Sequence, residues 1–278
     1  SVAAQDERNL RLERGLSFTN PGRRISAGYV YRLRNWTLSG TVTLQDGTPE
    51  NPFFFALDFA NSLVVLDDRP VVHNAGDELA RGLDAMLGGA TTRVSAIPGG
   101  PALVVGTLPR VRTLIRDQRL PSSLPVDGFW IGSVGNGARA RLVIAGGNDR
   151  GVLYGVFRLL ERIALQQDVA ASLEQHPSAP VRWVNHWDNL DGSIERGYAG
   201  RSIFFEGGHV VDDLTRVGEY ARLLASVGVN GATINNVNAN AAVLSDAFLP
   251  QLARVADAMR PWGVALSVSI DFSSPMRI

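Results

Sequence analysis

The apolar positions of this chain change period several times, and each change predicts an element. Between residues 78 and 87 they recur at helical spacing, with Leu79, Leu83, Met86 and Leu87 on one face. Asn74-Ala75-Gly76-Asp77 can cap that helix and Gly88-Gly89 stops it. Strand runs follow at 93–96 and 102–106, then a short helix at 110–116 and strands at 129–131 and 141–145. Asn148-Asp149-Arg150-Gly151 opens a helix through 163, burying Leu153, Val156, Phe157, Leu160 and Ile163, with Asp149 as its cap. Upstream, 29–31, 36–38, 41–44 and 63–66 read as strands, the first three set off by turn signals at 20–22 and 46–47. The alternation predicts an N-terminal α+β domain, a mixed sheet with helices, over 1–178; the role of 1–65, β-rich, is left open.

Residues 168–180, ending His176-Pro177-Ser178-Ala179-Pro180, read as a linker, and the pattern changes after it. A strand at 181–185 leads into a long loop and a helix at 212–227, capped by Asp212 or Asp213. A strand at 231–235 precedes a helix at 245–260, capped by Ser245 with Phe248, Leu252, Val255 and Met259 inward, and a strand at 264–270. Strand, helix, strand, helix, strand is the opening of a parallel β/α array. A (β/α)8 barrel takes about 250 residues, and only about one hundred follow the linker, so 179–278 is expected to be a truncated TIM-type barrel.

Working residues in such an array sit at the carboxyl ends of the strands. Those ends read Asn185-His186-Trp187-Asp188-Asn189, Asn235-Asn236-Val237-Asn238 and Asp271-Phe272-Ser273-Ser274-Pro275. An indole beside amides and a carboxylate suits a sugar, which needs an apolar face to stack on and directed hydrogen bonds for its hydroxyls. Trp187 reads equally as a core residue, and the asparagines as partners of loop backbone. Asp191, Glu195 and Arg196 read as a fold-stabilising network, and His186 as structural rather than as a general base.

Composition removes whole classes of chemistry. With 27 basic and 27 acidic residues the charges cancel, so neither nucleic acid nor an anionic membrane surface is an expected partner. No run approaches the roughly 18 apolar residues of a membrane span. Cysteine is absent, which excludes thiolate chemistry and fits any compartment. Every basic residue is arginine, which excludes Schiff-base lysines and a Gly-Lys-Ser/Thr phosphate loop. His73, His176, His186 and His209 show no metal-ligand spacing, and neither a dinucleotide fingerprint nor a GxSxG turn is present.

The stretch 182–200, RWVNHWDNLDGSIERGYAG, followed by SIFF, resembles the family 67 glycoside hydrolases, the xylan-debranching α-glucuronidases. GGNDRGVLYGVFRLLERI (146–163), GVNGATINNVNAN (228–240) and RPWGVALSVSIDFSSP (260–275) carry the same resemblance, which spans about 70–278. GVLYGVFRLL is also similar to the N-terminal domain of β-hexosaminidases. The resemblance implies hydrolysis, without a cofactor, of the α-1,2 link between (4-O-methyl)glucuronic acid and xylooligosaccharides. Inversion requires an acid and a base about 6.5–9.5 Å apart. In the family these carboxylates lie on later strands, so no catalytic residue is expected before Ile278. By the match Trp187 packs against the glucuronic acid and Val237 lies near its 4-O-methyl group, with Asp188, Asn189 and Asn236 as neighbours. Full-length members are expected to be homodimers. Two alternatives stay open: a hexosaminidase-like glycosidase, and a non-catalytic carbohydrate-binding protein.

Overall fold

The computed structural model describes residues 13–16, 23–33, 36–45, 59, 61–88, 91–169, 171–235, 238–271 and 273. The chain divides into two compact units, 1–54 and 55–278. In the first, β1 (Glu13–Leu16), β2 (Arg23–Leu33) and β3 (Trp36–Gln45) form an antiparallel sheet in that order. β2 and β3 pair along their length, from Leu33↔Trp36 to Arg24↔Gln45. One ten-residue strand therefore stands where the pattern suggested two, 36–38 and 41–44. The turn signals at 20–22 and 46–47 lie outside the described residues.

The second unit opens with a six-stranded mixed sheet. Its strands are β4 (Ser62–Val65), β5 (Thr92–Arg93), β6 (Ala102–Thr107), β7 (Phe129–Val134), β8 (Arg141–Gly146) and β9 (Leu173–Gln175), ordered β5-β4-β6-β8-β7-β9. β4, β5, β6 and β8 run parallel; β7 is antiparallel to β8 and to β9. β6 and β8 are buried along their whole length because both faces are covered. Leu103, Val105, Leu142 and Ile144 face α1 (Pro70–Leu87) and α3 (Asp149–Ala164). Val104, Val143 and Ala145 face α2 (Leu108–Leu114) through Leu108 and Val111. The period-two alternation thus feeds two apolar layers, and each fully buried Leu or Ile contributes roughly 1.5–3 kcal/mol.

Several sequence expectations are corrected here. α1 begins at Pro70, two turns before the expected start at 78, because proline fits the first helical turn, where its missing N–H has no partner to lose. Asn74 lies inside that helix and its amide reaches the Pro261 carbonyl (3.0 Å). Gly88 closes α1 in the left-handed region (φ 67°), as a C-terminal glycine should. The cap of α3 is Asn148, whose Oδ1 accepts from Gly151 N (2.9 Å); Asp149 instead pairs with Arg69 (2.6 Å). The stretch read as a linker contains β9, which adds an edge strand to β7.

The parallel array follows: β10 (Trp183–Asn185), α4 (Thr215–Ser226), β13 (Gly231–Ile234), α5 (Leu249–Met259) and β14 (Ala265–Val268). Between β10 and α4 a two-stranded ribbon, β11 (Phe205–Glu206) and β12 (His209–Val210), braces the long loop. The strands lie in the order β10-β13-β14, all parallel. Ala232 and Ile234 pack with Val217, Ala221 and Leu224 of α4 and with Leu252, Val255 and Met259 of α5. On the other face the Trp183 indole lies so close to Gly231 that a Cβ there would come within 2.3 Å of it. α5 starts at Leu249: Ser245 Oγ donates to the Ala242 carbonyl, so Ser245 does not cap α5 through its side chain. Before α4 it is Asp213 that receives the Thr215 N–H (2.9 Å).

Two buried carboxylates tie the mixed sheet's layer to this array. Asp127 accepts from Asn148 and Arg150 through Oδ1 (both 2.8 Å) and from Arg182 (2.8 Å) and Asn230 (3.4 Å) through Oδ2. Burial pushes its carboxyl up, but the bonds from Arg182, Asn148 and Arg150 outweigh burial and hold it below the usual range. Glu78 on α1 does the same for Arg222 on α4 (2.6 and 2.9 Å) and for Arg81.

Candidate functional site

The chain leaves the sheet at Asn185, Ile234 and Val268, and the three segments that follow gather at one end. The first two of them form a cleft of about 820 Å³, lined by Asn189, Asp191, Ser193, Glu195, Arg196 and the asparagines 235, 238 and 240, among others. This is where β/α arrays place their binding residues.

Local hydrogen bonds fix each wall. Asn189 donates through Nδ2 to Ser193 Oγ (2.9 Å) and to the Glu195 carbonyl (2.8 Å), and its Oδ1 receives the Asn238 amide. Asp191 Oδ1 accepts from Ser193 N (2.8 Å) and Oγ (2.7 Å), which holds its carboxyl below the usual range. Asn235, 1% exposed, bonds the carbonyls of Asn240 (3.2 Å) and Ser269 (3.0 Å) and accepts from Asn240 N (3.1 Å). One side chain thereby joins the ends of β13 and β14.

Backbone strain collects in the same place. Glu195 (φ 56°), Asn235 (φ 61°) and Ala239 (φ 42°) occupy the left-handed region although none is glycine. Such residues persist only where the surroundings over-determine them, and they cluster at ligand sites. Glu195 is held by its N–H to the Trp187 carbonyl (2.8 Å) and by Tyr198, whose hydroxyl donates to Oε1 (2.9 Å).

A smaller hollow of about 390 Å³ lies beside the cleft, lined by His186, Asp188, Arg201, Phe204, Arg216, Glu219 and Tyr220, among others. His186 Nε2 is 3.1 Å from the Tyr220 hydroxyl, and its Nδ1 is 3.7 Å from Asp188. Its ring meets Phe204 and Tyr220 edge-on. Burial lowers the His186 pKa and the Asp188 charge only partly restores it, so the imidazole is neutral at pH 7. A neutral, aromatic-packed histidine fits the structural role expected for it.

Of the residues expected to bind substrate, Asn189 lines the cleft. Trp187 is 46% exposed, so the core alternative for it does not hold; it is not itself a lining residue. Asp188 is 4% exposed and faces the smaller hollow. Asn236 and Val237 lie outside the described residues. Asp191, Glu195 and Arg196 do not bond one another as the expected network; they line the cleft and Asp191 and Glu195 hold separate partners, Ser193 and Tyr198. The signal that could have found them is position: three charged residues between Leu190 and Gly197 in a loop too long to be a plain connector. Among the described residues no group of His, Asp and Glu is arranged to hold a metal ion.

Two family models match the chain: the glycosyl hydrolase family 67 N-terminus over residues 56–159 and the family 67 middle domain over 162–278. A probable alpha-glucuronidase A from Aspergillus oryzae is 43% identical over 218 residues, covering 77% of this chain and 26% of the relative. Alpha-glucuronidase A from Aspergillus tubingensis is 44% identical over 208 residues, covering 73% and 24%. The chain thus spans about a quarter of the length of these curated relatives. Among solved structures, a GH138 enzyme targeting pectin rhamnogalacturonan II matches with a TM-score of 0.48, 12% identity and coverage of 77% and 26%. The Streptomyces plicatus N-acetyl-beta-hexosaminidase matches at 0.47, 13% identity and coverage of 77% and 42%. Neither structural likeness carries the functional argument.

Proposed function

Because the chain belongs to glycosyl hydrolase family 67, we propose that it supplies one wall of an α-glucuronidase site. The reaction would be inverting hydrolysis of the α-1,2 bond joining (4-O-methyl)glucuronic acid to a xylooligosaccharide. In this reading 1–178 is the N-terminal domain, and 179–278 contributes the first three strands of a (β/α)8 barrel. Trp187 stacks on the glucuronic acid and Val237 lies by its 4-O-methyl group. Asn189 and Asn236 bond hydroxyls, and Asp188 supports the wall from behind.

The observation that carries the proposal is the amide-rich cleft at the carboxyl ends of β10 and β13, beside the exposed Trp187. A general acid needs a raised pKa, whereas the Ser193 bonds hold the Asp191 carboxyl below the usual range, so Asp191 does not suit that role. In this reading the acid and base come from other strands of the barrel, as the family resemblance implies.

The test is turnover of aldouronic acids with the anomer of the released uronic acid followed by NMR. The full-length gene product should release the inverted anomer, and the 278-residue chain alone should release nothing. Turnover by the 278-residue chain would overturn the assignment of acid and base to other strands. Release of N-acetylhexosamine from a chitooligosaccharide assayed in parallel, with the aldouronic acids left intact, would favour the hexosaminidase alternative.

A further inference from the structure

A second aromatic ring stands at the rim of the cleft. Tyr198 is 74% exposed, on a turn between Gly197 (φ 92°) and Gly200 (φ 99°). A tyrosine that leaves most of its ring in water gains little from the fold. Its hydroxyl is nevertheless fixed: it donates to Glu195 Oε1 (2.9 Å). Glu195 lines the cleft in a left-handed conformation and binds the Trp187 carbonyl through its N–H (2.8 Å). The Tyr198 ring and the backbone of Trp187 are therefore tied to the same strained residue. A tethered aromatic face beside a cleft walled by amides matches what a pyranose needs, an apolar face to stack on with hydrogen-bond partners at its edge.

We propose that Tyr198 is a binding residue that stacks on a neutral pyranose of the oligosaccharide, one sugar beyond the uronosyl-xylose unit, with Glu195 as its positioning residue. The inference rests on the α-glucuronidase reading and deepens it by adding a subsite for the sugar chain. Trp187 and Tyr198 then divide the substrate between them. The first ring takes the uronic acid and the second takes the backbone sugar. The Tyr198–Glu195 bond also pushes the phenol up, so the hydroxyl keeps its proton and its tether at neutral pH.

The experiment compares two substrates on the full-length protein: glucuronic acid on a single xylose, and glucuronic acid on a xylotriose. Tyr198→Ala should raise KM about three- to tenfold on the longer substrate, leave kcat within about twofold, and leave the shorter substrate unaffected. Tyr198→Phe keeps the ring and loses the tether, so it should fall between wild type and Tyr198→Ala, as should Glu195→Ala. Glu195→Gln keeps an acceptor for the hydroxyl and should behave as wild type. Equal KM changes on both substrates, or none on either, would overturn the subsite. The turn is exposed, so unchanged thermal melting should show that the variants are folded. A wild-type protein that cleaves neither sugar would instead overturn the functional reading, and this inference with it.

Discussion

Replacing Asp127 with alanine tests whether the two layers of the 55–278 unit are held together by charge. The carboxylate is 2% exposed and receives four side-chain bonds from residues before and after the 168–180 stretch. Removing one partner of a buried ion pair costs about 3–5 kcal/mol, because the other charge is left uncompensated. Here the stranded cations keep some access to water: the side chains of Arg150 and Arg182 are 32% and 17% exposed. Rehydration places the loss at the lower end, about 3 kcal/mol. At roughly 2–4 °C per kcal/mol for a unit of this size, Asp127→Ala should melt about 6–12 °C below wild type by circular dichroism. Asp127→Asn, which also tolerates the left-handed φ of 60°, should lose less. The sign of the pH dependence is fixed by the depressed pKa. In acid the unfolded chain binds the proton more readily than the folded one, so the contribution is complete above about pH 4 and fades as pH falls below it. The gap between wild type and Asp127→Ala should close over that acid range. A melting change below about 2 °C at pH 7 would show that water screens the cluster as it does surface pairs, and would refute the reasoning.

Three further outcomes are expected. Trp187→Ala should weaken oligosaccharide affinity in the full-length protein about tenfold, measured calorimetrically, with no change in melting temperature, because the ring is half exposed. Gly151→Ala should destabilise by about 3 kcal/mol or prevent folding, since its Cβ would lie 2.2 Å from the Gly128 carbonyl oxygen and backbone cannot step aside; Gly99→Ala, with nothing within 4 Å, should be silent. His186→Gln should flatten the loss of stability that wild type shows as pH drops below about 6.5, because a buried imidazole with a lowered pKa resists the proton that the unfolded chain accepts; an unchanged slope would show that His186 does not titrate as described.

The sequence is most legible where one physical rule dominates. Buried strands such as β6 and β8, and the inward face of α5, follow apolar periodicity and lie where it predicts, whereas on α3 Leu159 is buried and the expected Phe157 and Leu160 only partly so. Boundaries failed where two rules competed. Pro70 looks like a breaker yet starts α1, and Asn74 and Asp77 look like caps yet sit inside it. β9 hides among turn-forming residues because an edge strand needs only one partner. The cleft lies at the polar ends of β10 and β13, which the sequence singles out, but most of its lining was not read in advance. Nothing local marks Asp127 as the tie between layers, since its partners lie 21 to 103 residues away. Glu195 was also obscured, because its role depends on a left-handed backbone that sequence assigns to glycine.

The long loop between β10 and α4 has a kinetic consequence. Its backbone is closed on itself: Asn189 N–H meets the Ser193 carbonyl, Ser202 N–H meets Gly192, and Gly208 N–H meets Leu190. Segments of this length often order only when ligand arrives, which slows association and adds a second phase to it. Here the loop's own backbone bonds form without a ligand. Sugar capture by this wall should then be a single fast step, with differences in affinity expressed as residence time rather than as rate of arrival.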